Sequence, residues 1–311
     1  MFTRTLGAAA ALVASAALLA GCGASSAPVA DAASHSPIRL VDDTHHTVVL
    51  NSPATRIVTL EPSNVEIALD LGLKNHIAGI DTSTMAYTPS PWKAQLKGLK
   101  NIGPSYPGIS VEKVVAAKPD LVITGPGVKG IAQLAKFHIP VLTLNPQSAA
   151  GVYHDILLVG KATGRTEKAR ALVLRIKKQL RAVASEVSAL PRPTVFTDLG
   201  GLYTVGPHTF LNSLIAMAGA RNVGVEMSRQ QWPKATAEQV VAANPSVILI
   251  DGGGTSVAQE EHIAGFSSTR AVETGHVYEV PQPSYIDTPS PAMVMGLKEL
   301  VRLLHPHLAG K

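Results

Sequence analysis

Short β-branched runs alternate with helix-period stretches along most of the chain. Ile57-Val58-Thr59-Leu60 reads as a buried strand, Glu61-Pro62-Ser63-Asn64 as the turn that follows, and an apolar helical pattern continues through Leu73. Ile77-Ala78-Gly79-Ile80 predicts a second strand, Leu121-Val122-Ile123 a third and Val141-Leu142-Thr143-Leu144 a fourth. The succession restarts at Thr194-Val195-Phe196-Thr197, continues through a helix near residues 210–218, and closes with Val277-Tyr278-Glu279-Val280 and a last helix from about Ala292. Strands that alternate with helices in this way predict α/β lobes with parallel, doubly wound sheets.

The two halves share more than a pattern. Glu112-Lys113-Val114-Val115-Ala116-Ala117-Lys118-Pro119 returns as Glu238-Gln239-Val240-Val241-Ala242-Ala243-Asn244-Pro245. In each copy a hydroxyl residue (Ser110, Thr236) stands two before the glutamate, a short helix follows, and proline releases the chain into a strand. A repeat this widely spaced is a duplicated lobe, because solenoid periods are only ~20–50 residues. Two similar lobes suggest a ligand held between them.

Between the halves, Leu172, Ile176, Leu180, Val183 and Val187 recur at near-heptad spacing, with basic residues on the opposite face. This predicts one long amphipathic helix, preceded by Gly164 and stopped before Pro191 and Pro193. The expected organisation is a first α/β lobe over 38–164, a connecting helix over 165–190 and a second α/β lobe over 191–311. A rigid helical connection favours small rocking of the lobes over wide opening.

Residues 1–21 carry Arg4 followed by an Ala/Leu/Val-rich run, which predicts an export signal. The apolar stretch over 6–20 falls short of the ~20 residues that span a bilayer. Leu19-Ala20-Gly21-Cys22 resembles the bacterial lipobox, whose cysteine is acylated after cleavage, so Cys22 is the expected membrane anchor. It is the chain's one cysteine, which excludes an intramolecular disulfide and a cysteine-based metal site. Residues 22–37 are Ala/Ser-rich and read as a flexible tether. The formal net charge is +5, but Lys and Arg are scattered and aromatic residues are few, so nucleic-acid binding is not expected.

Four segments carry a family resemblance: residues 53–72 (Pro-Ala-Thr-Arg-Ile-Val-Thr-Leu-Glu-Pro-Ser-Asn-Val-Glu-Ile-Ala-Leu-Asp-Leu-Gly), residues 103–123, Gly160-x-x-x-Gly164, and Trp232-Pro233 ahead of the second glutamate unit. Together they resemble the substrate-binding proteins of bacterial ABC importers for iron-siderophores, haem and cobalamin, in which one backbone helix joins two Rossmann-like lobes. Asp43-Thr44-His45-His46 departs from the glycine-containing hairpin often found in that family. The resemblance implies a monomeric, lipid-anchored carrier without a covalent cofactor, which takes a ferric siderophore or cobalamin to a permease dimer. It also implies that Glu112 and Glu238, one on each lobe, meet arginines of that permease. The alternatives are a haem carrier, a free metal-ion carrier, or a lipid-anchored enzyme on the same scaffold.

In open α/β sheets ligands bind beyond the carboxyl ends of the strands. The candidate loops are 61–64, 81–87, 106, 199–203, 231–232 and 283–287, and the residues selected from them are Pro62, Ser63, Asn64, Tyr87, Tyr106, Gly200, Tyr203, Trp232 and Tyr285. Tyr and Trp offer broad apolar contact with a polar tip, as a bulky, partly polar chelate requires. The eleven histidines are scattered without a ligand ladder; His208, in Gly206-Pro207-His208-Thr209, is the one placed nearest the expected cleft, and no metal site is expected. Gly252-Gly253-Gly254 lacks the Lys-Ser/Thr of a P-loop, and there is no Gly-x-Ser-x-Gly elbow.

Overall fold

The computed structural model describes residues 36–252 and 254–308. The export signal, Cys22 and nearly all of the expected tether lie outside the described residues. Among the described residues no helix is long and apolar enough to cross a membrane.

The described chain opens with an antiparallel ribbon, β1 (Ile38–Val41) against β2 (Thr47–Leu50). Asp42 does the work of a hairpin glycine in its turn: its Oδ1 accepts from the Thr44 amide at 2.9 Å, the Thr44 hydroxyl at 2.8 Å and the His46 amide at 2.9 Å, while His45 takes φ 63°.

The first lobe follows as β3 (Ile57–Leu60), α1 (Pro62–Asp70), β4 (Ile77–Ile80), α2 (Thr82–Tyr87), α3 (Val111–Ala116), β5 (Leu121–Thr124), β6 (Val141–Thr143) and α4 (Ala149–Ala162). Its parallel sheet has the order β4-β3-β5-β6. After α5 (Thr166–Val187), the second lobe contains β7 (Thr194–Asp198), α6 (Phe210–Met217), β8 (Arg221–Asn222), α7 (Gly224–Met227), α8 (Ala237–Ala243), β9 (Val247–Ile250), α9 (Val257–Glu261), α10 (Arg270–Glu273), β10 (Val277–Glu279) and α11 (Met293–Leu304). Its parallel sheet runs β10-β9-β7-β8. The repeat equates β5 with β9, and read from the other edge the two sheets have the same order.

All four residues of β3, β5 and β9 are buried, which is why these strands read as unbroken apolar runs. The strand β8 is two residues long, too short to leave a periodic signal. The first helix stops at Asp70 rather than Leu73, because Gly72 turns the chain with φ 74°.

The connecting helix α5 buries Leu172, Ile176, Leu180, Val183 and Val187, joined by Ala169 and Val173. It packs against α4 of the first lobe and α11 of the second, and one continuous core contains Ile156, Leu180 and Leu300. Each such side chain contributes roughly 1.5–3 kcal/mol. The Gly160-x-x-x-Gly164 motif has a packing cause: a Cβ on Gly160 would lie 2.4 Å from that of Ala169, and Gly164 holds φ 67° at the turn into α5.

Candidate functional site

In each sheet the order reverses at the central pair, β3/β5 and β7/β9, and the crevice beyond their carboxyl ends is where such sheets take ligands. A cleft of about 960 Å³ opens there, walled by Glu61, Pro62, Ser63, Tyr87 and Lys93 of the first lobe and by Asp251, Ser284 and Asp287 of the second. Its volume is at the upper end of the ~300–1,000 Å³ range of small-molecule sites, which suits a bulky ligand.

Three hydrogen bonds cross from lobe to lobe. The Tyr285 hydroxyl donates to the Ser90 carbonyl at 3.1 Å, the Ser290 hydroxyl to Glu66 Oε2 at 2.6 Å, and Gln231 Nε2 to Gln147 Oε1 at 3.0 Å.

Glu61 follows β3 directly and is held at φ 133°, ψ 148°, a region that favours glycine and costs a side-chain-bearing residue ~1–3 kcal/mol. Room for its carboxylate comes from Gly125, the residue after β5: a Cβ there would lie 2.0 Å from Glu61 Oε1. Burial and the neighbouring Asp81 push the Glu61 carboxyl up to about 7, against the pull of the Gly125 amide. Asp81 is itself fully engaged, accepting from the amides of Glu61, Ser83 and Thr84, the Ser105 hydroxyl at 2.7 Å, and the hydroxyls of Ser83 and Thr84.

Asp251 follows β9 directly, at the position that the repeat equates with Gly125. It is 7% exposed, and no protein donor reaches either carboxylate oxygen. Burial, reinforced by Asp287, raises its carboxyl to about 7. Asp287 stands at the exposed rim, where its carboxylate accepts from the Thr288 hydroxyl at 3.1 Å. Deeper in the seam, Glu66 of α1 is fully buried with Oε1 unpartnered, and burial pushes it to about 8 despite the Ser290 hydrogen bond.

The structure brings Pro62, Ser63 and Tyr87 to the cleft wall. Tyr285 bridges the cleft through its hydroxyl. Asn64 does not join its neighbours Pro62 and Ser63 at the wall: it is buried, and its Nδ2 donates to the Leu60 carbonyl at 3.3 Å. Gly200 has φ 109° and donates its amide to Asp198 Oδ1 at 2.8 Å, so its visible role is the turn after β7. Tyr106, Tyr203 and Trp232 are 86%, 50% and 51% exposed and do not line the 960 Å³ cavity, and the Lys234 ammonium stands 5.5 Å over the Tyr203 ring. The other tryptophan, Trp92, is buried and donates to Asp70 at 2.8 Å. His208 meets Gln231 through its backbone carbonyl, and among the described residues no three His, Cys, Asp or Glu form a metal-binding group.

The selected set lacks the carboxylates of Glu61, Asp251 and Asp287. A signal for two of them existed: Glu61 and Asp251 each come directly after a short apolar or β-branched run, where an acidic residue has no fold-level reason to be.

Glu112 and Glu238 are exposed in the first turns of α3 and α8. Crossover helices run antiparallel to their strands, so both helices begin at the carboxyl edge of their sheets, the end that carries the cleft. Each carboxyl is held below the usual range by its own backbone amide and by the hydroxyl of Ser110 or Thr236.

Two parallel-sheet lobes on one connecting helix, with a cleft at the carboxyl ends of both sheets, define a bilobal binding protein. The chain belongs to the periplasmic binding protein family, whose profile matches residues 57–283. It is 30% identical over 313 residues to an uncharacterised ABC transporter substrate-binding lipoprotein of Bacillus subtilis (strain 168), covering 96% of each chain. A cobalamin-binding protein of Halobacterium salinarum is 26% identical over 289 residues, covering 89% of this chain and 76% of its own. Among solved structures, a periplasmic haem-binding protein from Roseiflexus in its apo form superimposes with a TM-score of 0.71 at 25% identity, covering 81% of this chain and 98% of its own.

Proposed function

We propose that this protein is the lipid-anchored carrier of an ABC importer, which captures a metal chelate in the interlobe cleft and presents it to a permease dimer. Cobalamin, haem and ferric siderophores are the chelate classes in view, and the relatives' names point to the first two. The observation that carries the reading is the cleft itself: its volume of about 960 Å³ lies between lobes joined by one rigid helix, where a large ligand is held by small relative motion. The chelator supplies the metal's ligands, so a cleft without a histidine or cysteine cluster accords with this role. Glu112 and Glu238 are the proposed permease contacts. Pro62, Ser63, Tyr87 and Tyr285 are proposed to meet the chelate, together with Glu61 and Asp287.

Calorimetric titration of the whole chain with cyanocobalamin, haemin and a ferric siderophore tests the reading. One of them is expected to bind at a one-to-one ratio and to be recovered unchanged. Chemical turnover of the bound chelate would make the protein an enzyme, and failure of all three to bind would remove the carrier assignment.

The anchor rests on Leu19-Ala20-Gly21-Cys22. In cells producing Cys22→Ser, the protein is expected to leave the membrane fraction or to accumulate as uncleaved precursor, since the acyl chains that hold it to lipid are lost. Unchanged fractionation and processing of the variant would refute the anchor.

A further inference from the structure

A further cavity, of about 580 Å³, opens in the second lobe at the amino ends of β7, β9 and β10, the end of the sheet opposite to the cleft. Its ionisable lining is of one sign. Arg192, Arg270, His276, His305 and His307 face it, and among the described residues no Asp or Glu does. The imidazoles carry either no charge or a positive one, so the wall is net positive whatever their protonation. Among the described residues neither arginine has a carboxylate within ion-pair distance. The fold holds these groups in place. Arg192 stands between Pro191 and Pro193, whose rings restrict the backbone on either side. Its Nη2 donates to the Ala220 carbonyl at 3.1 Å, which leaves most of the guanidinium's N–H donors uncommitted. The Arg270 amide donates to Asn244 Oδ1 at 2.8 Å, which turns the Asn244 side chain so that its NH2 is the end left over. His305 is buried, and its Nε2 donates to the Ala218 carbonyl at 2.8 Å.

These groups come from four separate segments: the start of β7, the start of α10, the residue before β10 and the turn after α11. Donors that converge from several directions suit a tetrahedral oxyanion, whereas a carboxylate takes its donors in one plane, and guanidinium is the side chain best matched to phosphate oxygens. The volume lies within the ~300–1,000 Å³ range of small-molecule sites and exceeds what one phosphate fills. Pro193 and Leu304 add apolar wall beside the cations, so there is room for an organic body. We propose that this cavity binds a small phosphate ester, with Arg192 and Arg270 on the phosphoryl oxygens and the Asn244 NH2 donating beside them. Its occupant is a second ligand, distinct from whatever the interlobe cleft carries and held at the other end of the sheet.

Calorimetric titration of the whole chain at low salt with glycerol 3-phosphate, inorganic phosphate and acetate tests this. Glycerol 3-phosphate is expected to bind at a one-to-one ratio, at least roughly tenfold more tightly than acetate, and more weakly as salt is added. Arg192→Gln together with Arg270→Gln should weaken the ester by roughly tenfold or more. Lys168→Gln together with Lys178→Gln removes the same charge from exposed positions on α5 and should leave ester binding within roughly twofold. In the unaltered chain, amide NMR shifts on adding the ester should cluster at the amino ends of β7, β9 and β10, a measurement that does not depend on any variant's folding. Failure of the ester to bind, affinity no better than that of acetate, or shifts elsewhere in the chain would overturn the proposal. Equal weakening by the lysine pair would overturn it too, by reducing the effect to diffuse attraction. Inorganic phosphate binding as tightly as the ester would remove the organic body from the site. Chelate titrations report on the other cavity, so the carrier assignment stands or falls separately.

Discussion

Cells carrying Glu112→Lys together with Glu238→Lys are expected to lose uptake of the chelate, while the purified protein keeps its chelate affinity to within roughly twofold. The two carboxylates stand on separate lobes, exposed at the starts of equivalent helices. The amides and hydroxyls around them lower both carboxyls from their ordinary value and so favour the charged form. Two equivalent charges related by a duplicated lobe match a permease dimer that is itself twofold. Exposed charges of this kind act mostly on encounter, so each single reversal should slow association with the permease by roughly tenfold, and the slowing should weaken as salt is added. If the sites act independently, the double reversal should slow it by roughly a hundredfold. Association measured with permease in vesicles, alongside calorimetry with the chelate, separates the two surfaces. Normal transport by the double variant would leave both glutamates as residues that favour a helix start. A matching loss of chelate affinity would move them into the binding site.

The scaffold was legible because its signals are local and repeated. Ile57-Val58-Thr59-Leu60 and Val247-Ile248-Leu249-Ile250 are buried at every position, so apolar runs marked them directly, and the heptad of α5 marked the face that packs on both lobes. The cap hydroxyls were equally readable: Ser110 Oγ accepts from the Lys113 amide, and Thr236 forms a full capping box with Gln239. The site was legible only in its address. Loops at the carboxyl ends of strands follow from topology, but which side chain in a loop faces the cleft depends on one or two backbone angles. Asn64 shows the difficulty, since it is adjacent to two wall residues and yet turns inward to the Leu60 carbonyl. Choosing loop residues by aromatic chemistry brought in Tyr106, Tyr203 and Trp232, which are exposed and do not line the 960 Å³ cavity, alongside Tyr87, which does. Glu61 could not have been recognised as a tucked, strained residue, because its conformation depends on Gly125 in another strand loop.

The fold spends stability on this acidic seam, and the consequence is a pH dependence opposite in sign to that of a protein held by salt bridges. Glu66 is fully buried between the lobes, and burial raises its carboxyl from the ordinary 4.5 to about 8, with Ser290 pulling the other way and Asp70 adding to the rise. Between those two values the folded chain holds a proton that the unfolded chain has released, so raising the pH favours unfolding. The contribution is fully present below about pH 4.5 and is lost progressively as pH rises towards 8. Asp155, pushed to about 9, and Glu260, pushed to about 8, act in the same direction because both are also buried. Glu66→Gln keeps a neutral acceptor for the Ser290 hydroxyl and removes the titration. Urea unfolding at pH 5 and pH 8 should therefore show the parent losing stability, and the variant losing less by on the order of 3 kcal/mol. Since Glu66 joins α1 to the second lobe through Ser290, the same titration should loosen the seam near pH 8, seen as faster amide exchange across α1 in the parent than in the variant. Parallel pH profiles for the two proteins would mean that Glu66 keeps its charge in the fold, and the account of the buried seam would have to be abandoned.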